Sequence, residues 1–211
     1  MYMPEQFRED RAEVLHAFIA RHPLGALVAS GPEGLIANHI PMLWHAQPGG
    51  AGVLVGHVAK ANPVWKLLAP ESPVLVIFTG AVHYITPSWY PSKQVHGKVV
   101  PTWNYSVVHA QGTIRFLGGA AAALSKVREL TERQEQARAL PWAVSDAPAD
   151  YLEAQLKHIV AFEITVTRLT GKFKASQHRP ADERISVAAA LRAEGLAPQE
   201  IEELVREPQP R

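Results

Sequence analysis

The sequence contains no cysteine among its 211 residues. Disulfides, thiol nucleophiles and thiolate metal ligands are therefore excluded, and the absence of thiols agrees with a cytoplasmic location, which we expect. No apolar stretch approaches the roughly 18 residues of a membrane span. The first ten residues, MYMPEQFRED, carry charges of both signs where a signal peptide would have an apolar core. We therefore expect neither a signal peptide nor a contact with membrane.

An excess of charge of one sign is also missing, because the net charge is only +1. Most affinity for DNA comes from cations that displace counterions from phosphates, so the balance gives no support to DNA binding. The common phosphate loops GxGxxG and GxxxxGK[ST] are absent. The ten histidines form neither HxH nor HExxH, and GxSxG does not occur. No metal site is expected, and no catalytic residue can be named.

Short strands dominate the elements that the sequence predicts. Segments 24–30 and 35–44 flank the turn signal GPEG and are typical of a β-hairpin. Further strands are predicted at 53–58, 72–80, 104–119 and 160–177, and helices at 10–23, 59–68, 121–139, 148–159, 181–195 and 197–207. About six mostly hairpin-connected strands favour a mainly β fold, an antiparallel barrel or sandwich with peripheral helices.

Trp and Tyr are concentrated in one segment, HYITPSWYPSKQVHGKVVPTWNYSVVH, from His83 to His109. It holds five of the ten Trp and Tyr residues of the chain: Tyr84, Trp89, Tyr90, Trp103 and Tyr105. These rings could simply cover one end of a barrel. They could equally form a stacking site for a flat ligand, with Lys93 and Lys98 attracting a phosphate. The sequence leaves both interpretations open.

A second candidate site is the segment GHVAKANPVW. Asn62 is the predicted cap and Pro63 the first residue of a helix, which places Lys60 near free backbone N–H groups that favour an anion. His57 and Asn62 could add hydrogen-bond donors. The alternative is that Lys60 is a solvated lysine and Asn62 only a helix cap.

The C-terminal segment 197–207 forms the second helix of a pair that superficially resembles helix-turn-helix. It carries four glutamates against the single basic residue Arg206, whereas a DNA recognition helix should be basic or polar. We expect a solvated tail or one that packs in a dimer.

Several of these segments together resemble a known family. MYMPEQF, NHIPMLW, GHVAKANPVW, FTGAVHYITPSWYPSK, KVVPTWNYSVVHAQG and GKFKASQHR match, in this order, motifs of the PaiB-type proteins, which are described as FMN-binding negative transcriptional regulators. The resemblance extends from residue 1 to about residue 185. One departure is His178, where the family usually has asparagine, and it weakens any role for that position.

The resemblance implies a six-stranded antiparallel Greek-key split barrel, the FMN-binding split barrel, similar to pyridoxamine-phosphate oxidases. It also implies a homodimer with FMN in the groove between subunits. The barrel domain would comprise residues 1–180 and a C-terminal helical tail residues 181–211.

Matching motif positions imply which residues bind FMN. Asn38, His39 and Ile40 would face the isoalloxazine, and His57, Lys60 and Asn62 the phosphate. Trp103, Asn104 and Tyr105 would reach the ring from the partner subunit. Tyr84 and Lys93 would line the groove, and Lys172, Ser176, Gln177 and Arg179 would close it.

Three functions remain open at this stage. The first is a homodimeric FMN-binding transcriptional regulator, although charge does not support direct DNA binding. The second is an FMN-dependent oxidoreductase, similar to pyridoxamine-phosphate oxidase or flavin reductase and acting on a small molecule. The third is a haem-binding protein on the same barrel. The barrel fold itself does not decide between them.

Overall fold

The computed structural model describes residues 1–207, and antiparallel strands form most of its regular structure. The strands are β1 Arg8–Glu9, β2 Leu24–Gly31, β3 Gly34–Pro41, β4 Leu43–His45, β5 Val53–Ala59, β6 Ser72–Ile85, β7 Thr102–Leu117 and β8 Ile159–Lys174. A mainly β fold with peripheral helices is therefore confirmed, but the predicted number of six strands is wrong, because there are eight in the described chain.

Helices connect and follow these strands. The α-helices are α1 Ala12–Arg21, α2 Val64–Leu67, α3 Ser92–Val95, α4 Ala120–Glu135, α5 Ala149–Leu156, α6 Ala181–Ala193 and α7 Pro198–Leu204. Short 3-10 helices lie at Glu5–Phe7, Pro87–Trp89 and Val144–Asp146.

The additional strands have simple physical causes. The segment predicted as one strand, 35–44, is interrupted at Met42, whose N–H donates to the carbonyl of Pro23 at 2.9 Å. Before this point β3 pairs with β2, and after it β4 pairs with β5. The chain therefore changes its partner strand without changing its apolar character. The other additional strand, β1, has only two residues and pairs with β8.

The sheet follows the order β3-β2-β6-β7-β8-β5-β4, with β1 beside β8. In the β2–β3 hairpin the register runs from Leu24 opposite Pro41 to Gly31 opposite Gly34, around the predicted turn. Close approach of two strands requires glycine at one position. A Cβ on Gly112 of β7 would lie 2.2 Å from the carbonyl oxygen of Thr165 in β8, which is too close for any side chain.

Two compact units can be distinguished in the chain. Unit 1 comprises Met1–Leu15, Thr79–Val108 and the described residues from Thr170 onward, and unit 2 comprises His16–Phe78 and His109–Leu169. The proposed boundary between a barrel domain and a tail at residue 180 stays a prediction. The core of unit 2 contains Leu27, Leu54 and Phe162, each at most 1% exposed.

The core of unit 1 is built largely by the C-terminal helices. Val187 and Leu191 of α6, with Ile201 and Leu204 of α7, pack with the buried residues Ile85 and Tyr90. The apolar side of the tail formed by α6 and α7 is therefore buried in unit 1. The sequence had left open that the tail is solvated. Within the dense aromatic segment, Tyr90 is consequently a core residue, and Trp89 packs against the same core.

Candidate functional site

The predicted FMN-binding residues fall into two groups, one in each unit. Unit 2 contains Asn38, His39, Ile40, His57, Lys60 and Asn62, and unit 1 contains Tyr84, Lys93, Trp103, Asn104, Tyr105, Lys172, Ser176, Gln177 and Arg179. Each group is described within its own unit.

In unit 2 the structure brings together two segments that are distant in sequence. The side-chain amide of Asn62 donates from Nδ2 to Oδ1 of Asn38 on β3 at 2.7 Å. Its Oδ1 accepts from the N–H of Val64, the first residue of α2, at 3.0 Å. Asn62 therefore acts as the predicted cap and also holds the neighbouring loop against Asn38. The convergence of NHIP and HVAKANP agrees with a common site.

Lys60 lies before a helix that begins within one residue of the predicted start but is very short. The helix α2 begins at Val64, four positions after Lys60, and has only four residues. The backbone N–H of Lys60 donates to the carbonyl of His158 at 2.7 Å. Its side chain is exposed, and no partner of its ammonium occurs within residues 1–207. Lys60 can bind an anion, but without help from the α2 dipole.

One ring nitrogen of His57 is buried without a hydrogen-bond partner among the described residues. Its ring is half-buried on β5, and burial lowers the pKa of the imidazole below its ordinary value, so the neutral form is favoured at neutral pH. The Nδ1 atom is buried and has no hydrogen-bond partner among the described residues. A buried nitrogen without a partner is costly, which makes it a natural contact for a polar group of a ligand.

The other two predicted residues of β3 differ in exposure. His39 is exposed, so its imidazole is accessible to a ligand. Ile40 is buried in the core, at 5% exposure, so its side chain does not face a ligand and only its backbone could do so.

A cavity of about 520 Å³ lies beside Lys60 in unit 2. Its wall is largely apolar and includes Trp65, Phe116 and Leu156, while Lys60 and Lys157 are its charged members. The indole N–H of Trp65 donates to the carbonyl of Lys60 at 3.0 Å and so fixes the ring. Sequence reasoning missed Lys157, because it follows an ordinary helix and no motif marks it.

In unit 1, two of the predicted FMN contacts, Asn104 and Ser176, form hydrogen bonds within the protein. Asn104 is fully buried, and its Nδ2 donates to Oγ of Ser176 and to the carbonyl of Leu204, both at 2.7 Å. Ser176 is itself 1% exposed. These two polar side chains fix β7 to the end of α7, while Oδ1 of Asn104 is buried without a hydrogen-bond partner among the described residues.

Gln177 and Arg179 are also held by the chain itself. The Gln177 amide donates to the carbonyl of Phe173 and accepts from the N–H of Ala175. The Arg179 guanidinium lies 4.5 Å from the ring centroid of Tyr90, and it donates to Glu183 at 3.3 Å. Both residues therefore support the segment after β8.

Lys172 is unusually buried for a lysine, with 7% exposure. Its ammonium donates to the carbonyl of Tyr2 at 3.1 Å and lies 5.4 Å from the ring centroid of Tyr105. The neighbouring Lys174 donates to the carbonyl of Trp103 and the hydroxyl of Thr102. Burial, with a smaller effect of the Lys172 charge, lowers the pKa of Lys174.

Tyr84 and Trp103 form the accessible part of the aromatic segment. Tyr84 is 44% and Trp103 55% exposed, and their rings meet edge to face with centroids 5.6 Å apart. Both line a cavity of about 450 Å³, together with Trp89 of the predicted stacking segment and with His83 and Glu194, which the sequence did not single out as ligand contacts. The predicted phosphate contact Lys93 is exposed and donates to Oγ of Ser88 at 3.1 Å.

A family model described as "Putative FMN-binding domain" matches residues 1–168. The chain belongs to this FMN-binding family. The membership confirms FMN as the predicted cofactor.

Relatives of this FMN-binding protein extend over nearly its full length. It is 34% identical to an uncharacterized protein of Emericella nidulans, over 90% of each chain. It is 31% identical to the Bacillus subtilis "Protease synthase and sporulation protein PAI 2", over 92% of this chain and 90% of the relative. The resemblance to the PaiB-type family is thereby confirmed.

Solved structures agree on the fold. The FAD and heme binding protein from Mycobacterium smegmatis gives a TM-score of 0.60 at 19% identity, covering 88% of this chain and 80% of that chain. The flavocytochrome Anf3 from Azotobacter vinelandii gives 0.54 at 11% identity, covering 81% and 70%. The split-barrel fold class is confirmed. Within residues 1–207 no helix is long and apolar enough to cross a membrane.

Proposed function

We propose that this FMN-binding protein is a homodimer that holds FMN at the subunit interface and has a negative regulatory role in transcription, in the cytoplasm. The observation that carries the FMN site is the hydrogen bond that joins Asn38 to Asn62 in unit 2, because the short segment that ends at Asn62 also holds the unpaired His57 Nδ1 and the exposed Lys60. The regulatory role is supported by membership of the PaiB-type family and by nothing in the geometry.

These residues fit the chemical character of FMN. Its phosphate needs a cation, which Lys60 offers, and its flavin needs polar contacts at buried positions, which the His57 Nδ1 offers. Asn62 is already bonded at both ends, so it would position the loop rather than bind the phosphate. FMN, when bound, supplies electron-transfer chemistry, and the protein supplies its orientation and electrostatic surroundings.

The absorption spectrum of purified protein loaded with FMN tests the proposal directly. We expect flavin bands that remain with the protein after gel filtration. A Soret band instead of flavin bands would support the haem alternative and contradict the proposal.

The first prediction concerns the oligomeric state of the protein. Large apolar side chains are exposed on unit 1, among them Val95, Val100 and Ile185, and such side chains are typical of interaction surfaces. We expect a homodimer that buries roughly 2,000 Å² or more, as obligate dimers do. Light scattering at micromolar concentration should give twice the chain mass of 23.1 kDa. A monomer that still binds FMN would contradict the shared site.

The second prediction is that this protein alone does not bind DNA tightly or sequence-specifically. The net charge is only +1, and Glu200, Glu202 and Glu207 of the C-terminal segment are exposed where phosphates would be repelled. Glu203 is buried and accepts from the N–H of Ala81 at 3.1 Å, so it belongs to the core.

Fluorescence anisotropy with genomic fragments at near-physiological salt, with and without FMN, measures this affinity. We expect weak binding that disappears as salt increases. Nanomolar affinity for one fragment in the presence of competitor would show that the protein is itself a DNA-binding repressor. Without such affinity, regulation would act through a partner or through small-molecule chemistry.

A second candidate function is an FMN-dependent oxidoreductase. It is favoured by the open cavity at Tyr84 and Trp103, which has room for a small substrate. Steady-state reduction of the bound flavin by NADH or NADPH separates the two functions, since a regulator without redox turnover would show none.

A further inference from the structure

The 450 Å³ cavity of unit 1 contains the predicted FMN contacts Tyr84 and Trp103, together with a carboxylate that an FMN site does not explain. Its lining consists of Val82, His83, Tyr84, Thr86, Trp89, Trp103 and Glu194. Three of these side chains are Trp or Tyr, one is an imidazole, and the formally charged member is the carboxylate of Glu194. Neither lysine nor arginine lines the cavity. A ligand that enters it therefore meets π-electron faces and one negative charge.

The aromatic walls are arranged in two pairs. His83 and Trp89 lie nearly parallel, with centroids 5.9 Å apart and planes at 19°. Tyr84 and Trp103 meet edge to face, at 66°. Trp89 packs against the buried core of unit 1, and its carbonyl accepts from the hydroxyl of Ser186 at 2.6 Å. One pair is thus anchored to the core, and the other is exposed and accessible.

The carboxylate of Glu194 is held at one side of this arrangement. Its Oε2 lies 2.8 Å from Nε2 of His83. A carboxylate oxygen accepts such a hydrogen bond from the ring N–H, and its other oxygen keeps lone pairs for a cationic ligand. The ammonium of Lys174 lies near Trp103 but is held by the Trp103 carbonyl and by Thr102, and it does not line the cavity.

We propose that this cavity binds a small organic ammonium ion. Cations are attracted to the faces of Trp and Tyr rings by the ring quadrupole, and desolvated aromatic cages are a common way to bind alkylated ammonium groups. Glu194 supplies the matching charge. The anionic phosphate of FMN is not matched here, because the carboxylate would repel it. The inference rests on unit 1 alone and not on the position of FMN.

Choline and its uncharged isostere 3,3-dimethylbutan-1-ol provide a direct test, because they differ in charge at nearly equal shape. Each is titrated into FMN-loaded protein by isothermal calorimetry, and the same titration is repeated on flavin-free protein. We expect choline to bind at least about tenfold more tightly than the alcohol in both forms. Equal affinity for the two ligands would overturn the proposal.

Three variants locate the site. Glu194→Gln should weaken choline by about tenfold or more, while it leaves the alcohol and FMN unaffected. Trp103→Ala should also weaken choline, and Trp103→Phe, which keeps a ring, should restore part of the affinity. Trp142→Ala is the matched control, since Trp142 is similarly exposed but belongs to unit 2. Choline binding that all three cavity variants leave unchanged would overturn the assignment.

Competition distinguishes this inference from the FMN site. If added FMN displaces choline in proportion to flavin bound, Tyr84 and Trp103 contact the flavin itself. That result would overturn the ammonium site and leave the proposed FMN function intact. Choline binding that persists on a protein that cannot retain FMN would support the ammonium site and contradict the proposed FMN function.

Discussion

Replacement of Leu191 by alanine is expected to lower the free energy of unfolding by about 2–5 kcal/mol. Leu191 lies on α6, is fully buried, and packs in the core of unit 1 with Tyr90 and Leu204. The cost combines the lost burial of the side chain with the cavity left among neighbours that relax only partially. Urea unfolding followed by fluorescence and circular dichroism measures it.

Leu140→Ala is the matched control, because the same chemical change is made at a side chain that is 90% exposed. Its effect should stay within about 0.5 kcal/mol. Hydrogen exchange of the α6 and α7 amides should increase in the Leu191 variant and not in the control. Equal unfolding midpoints for the two variants would show that the C-terminal helices do not contribute to the core of unit 1.

The Lys60→Ala variant is expected to bind FMN about 10- to 150-fold more weakly than the unchanged protein. This factor corresponds to about 1.5–3 kcal/mol for a charge-assisted hydrogen bond to the phosphate. The exposed ammonium is available for that bond, since no protein group within residues 1–207 occupies it. Titration of flavin-free protein, followed by flavin fluorescence, gives the dissociation constant.

Riboflavin is the control ligand, because it lacks the phosphate and keeps the ring. The unchanged protein should bind FMN more tightly than riboflavin, and Lys60→Ala should remove most of that difference while leaving riboflavin affinity unchanged. Lys60→Arg should restore part of the FMN affinity. An equal loss for both flavins would assign Lys60 a role in folding instead of phosphate binding.

The hairpin and the apolar strands were predictable because turn residues and the alternation of apolar and polar side chains are features of the local sequence. GPEG and its flanking strands form the expected β2–β3 hairpin. The break at Met42 was not predictable, because its cause is a hydrogen bond to Pro23 and a change of partner strand, which leave no local pattern.

In the candidate site, too, features set by the local sequence were predictable and contacts with distant residues were not. Asn62 was predicted as a cap from the local sequence, and its side chain does accept from Val64. Asn104 was predicted as a ligand contact, yet its amide bonds to a backbone carbonyl 100 positions away. A single sequence does not show whether a polar residue in a strand meets a ligand or a distant helix end. Similarly, Glu194 is brought to His83 only by the folded tail.

The bond between Asn104 and Leu204 has a consequence for the gene. A nonsense or frameshift mutation shortly after codon 180 would leave the three long strands complete but remove α6 and α7. The Asn104 amide would lose one acceptor at a fully buried position, and Ile85 and Tyr90 would become exposed to water. Early termination here should therefore yield a product that the cell degrades, so selection should act on the codons of α6 and α7 as well as on those of the sheet.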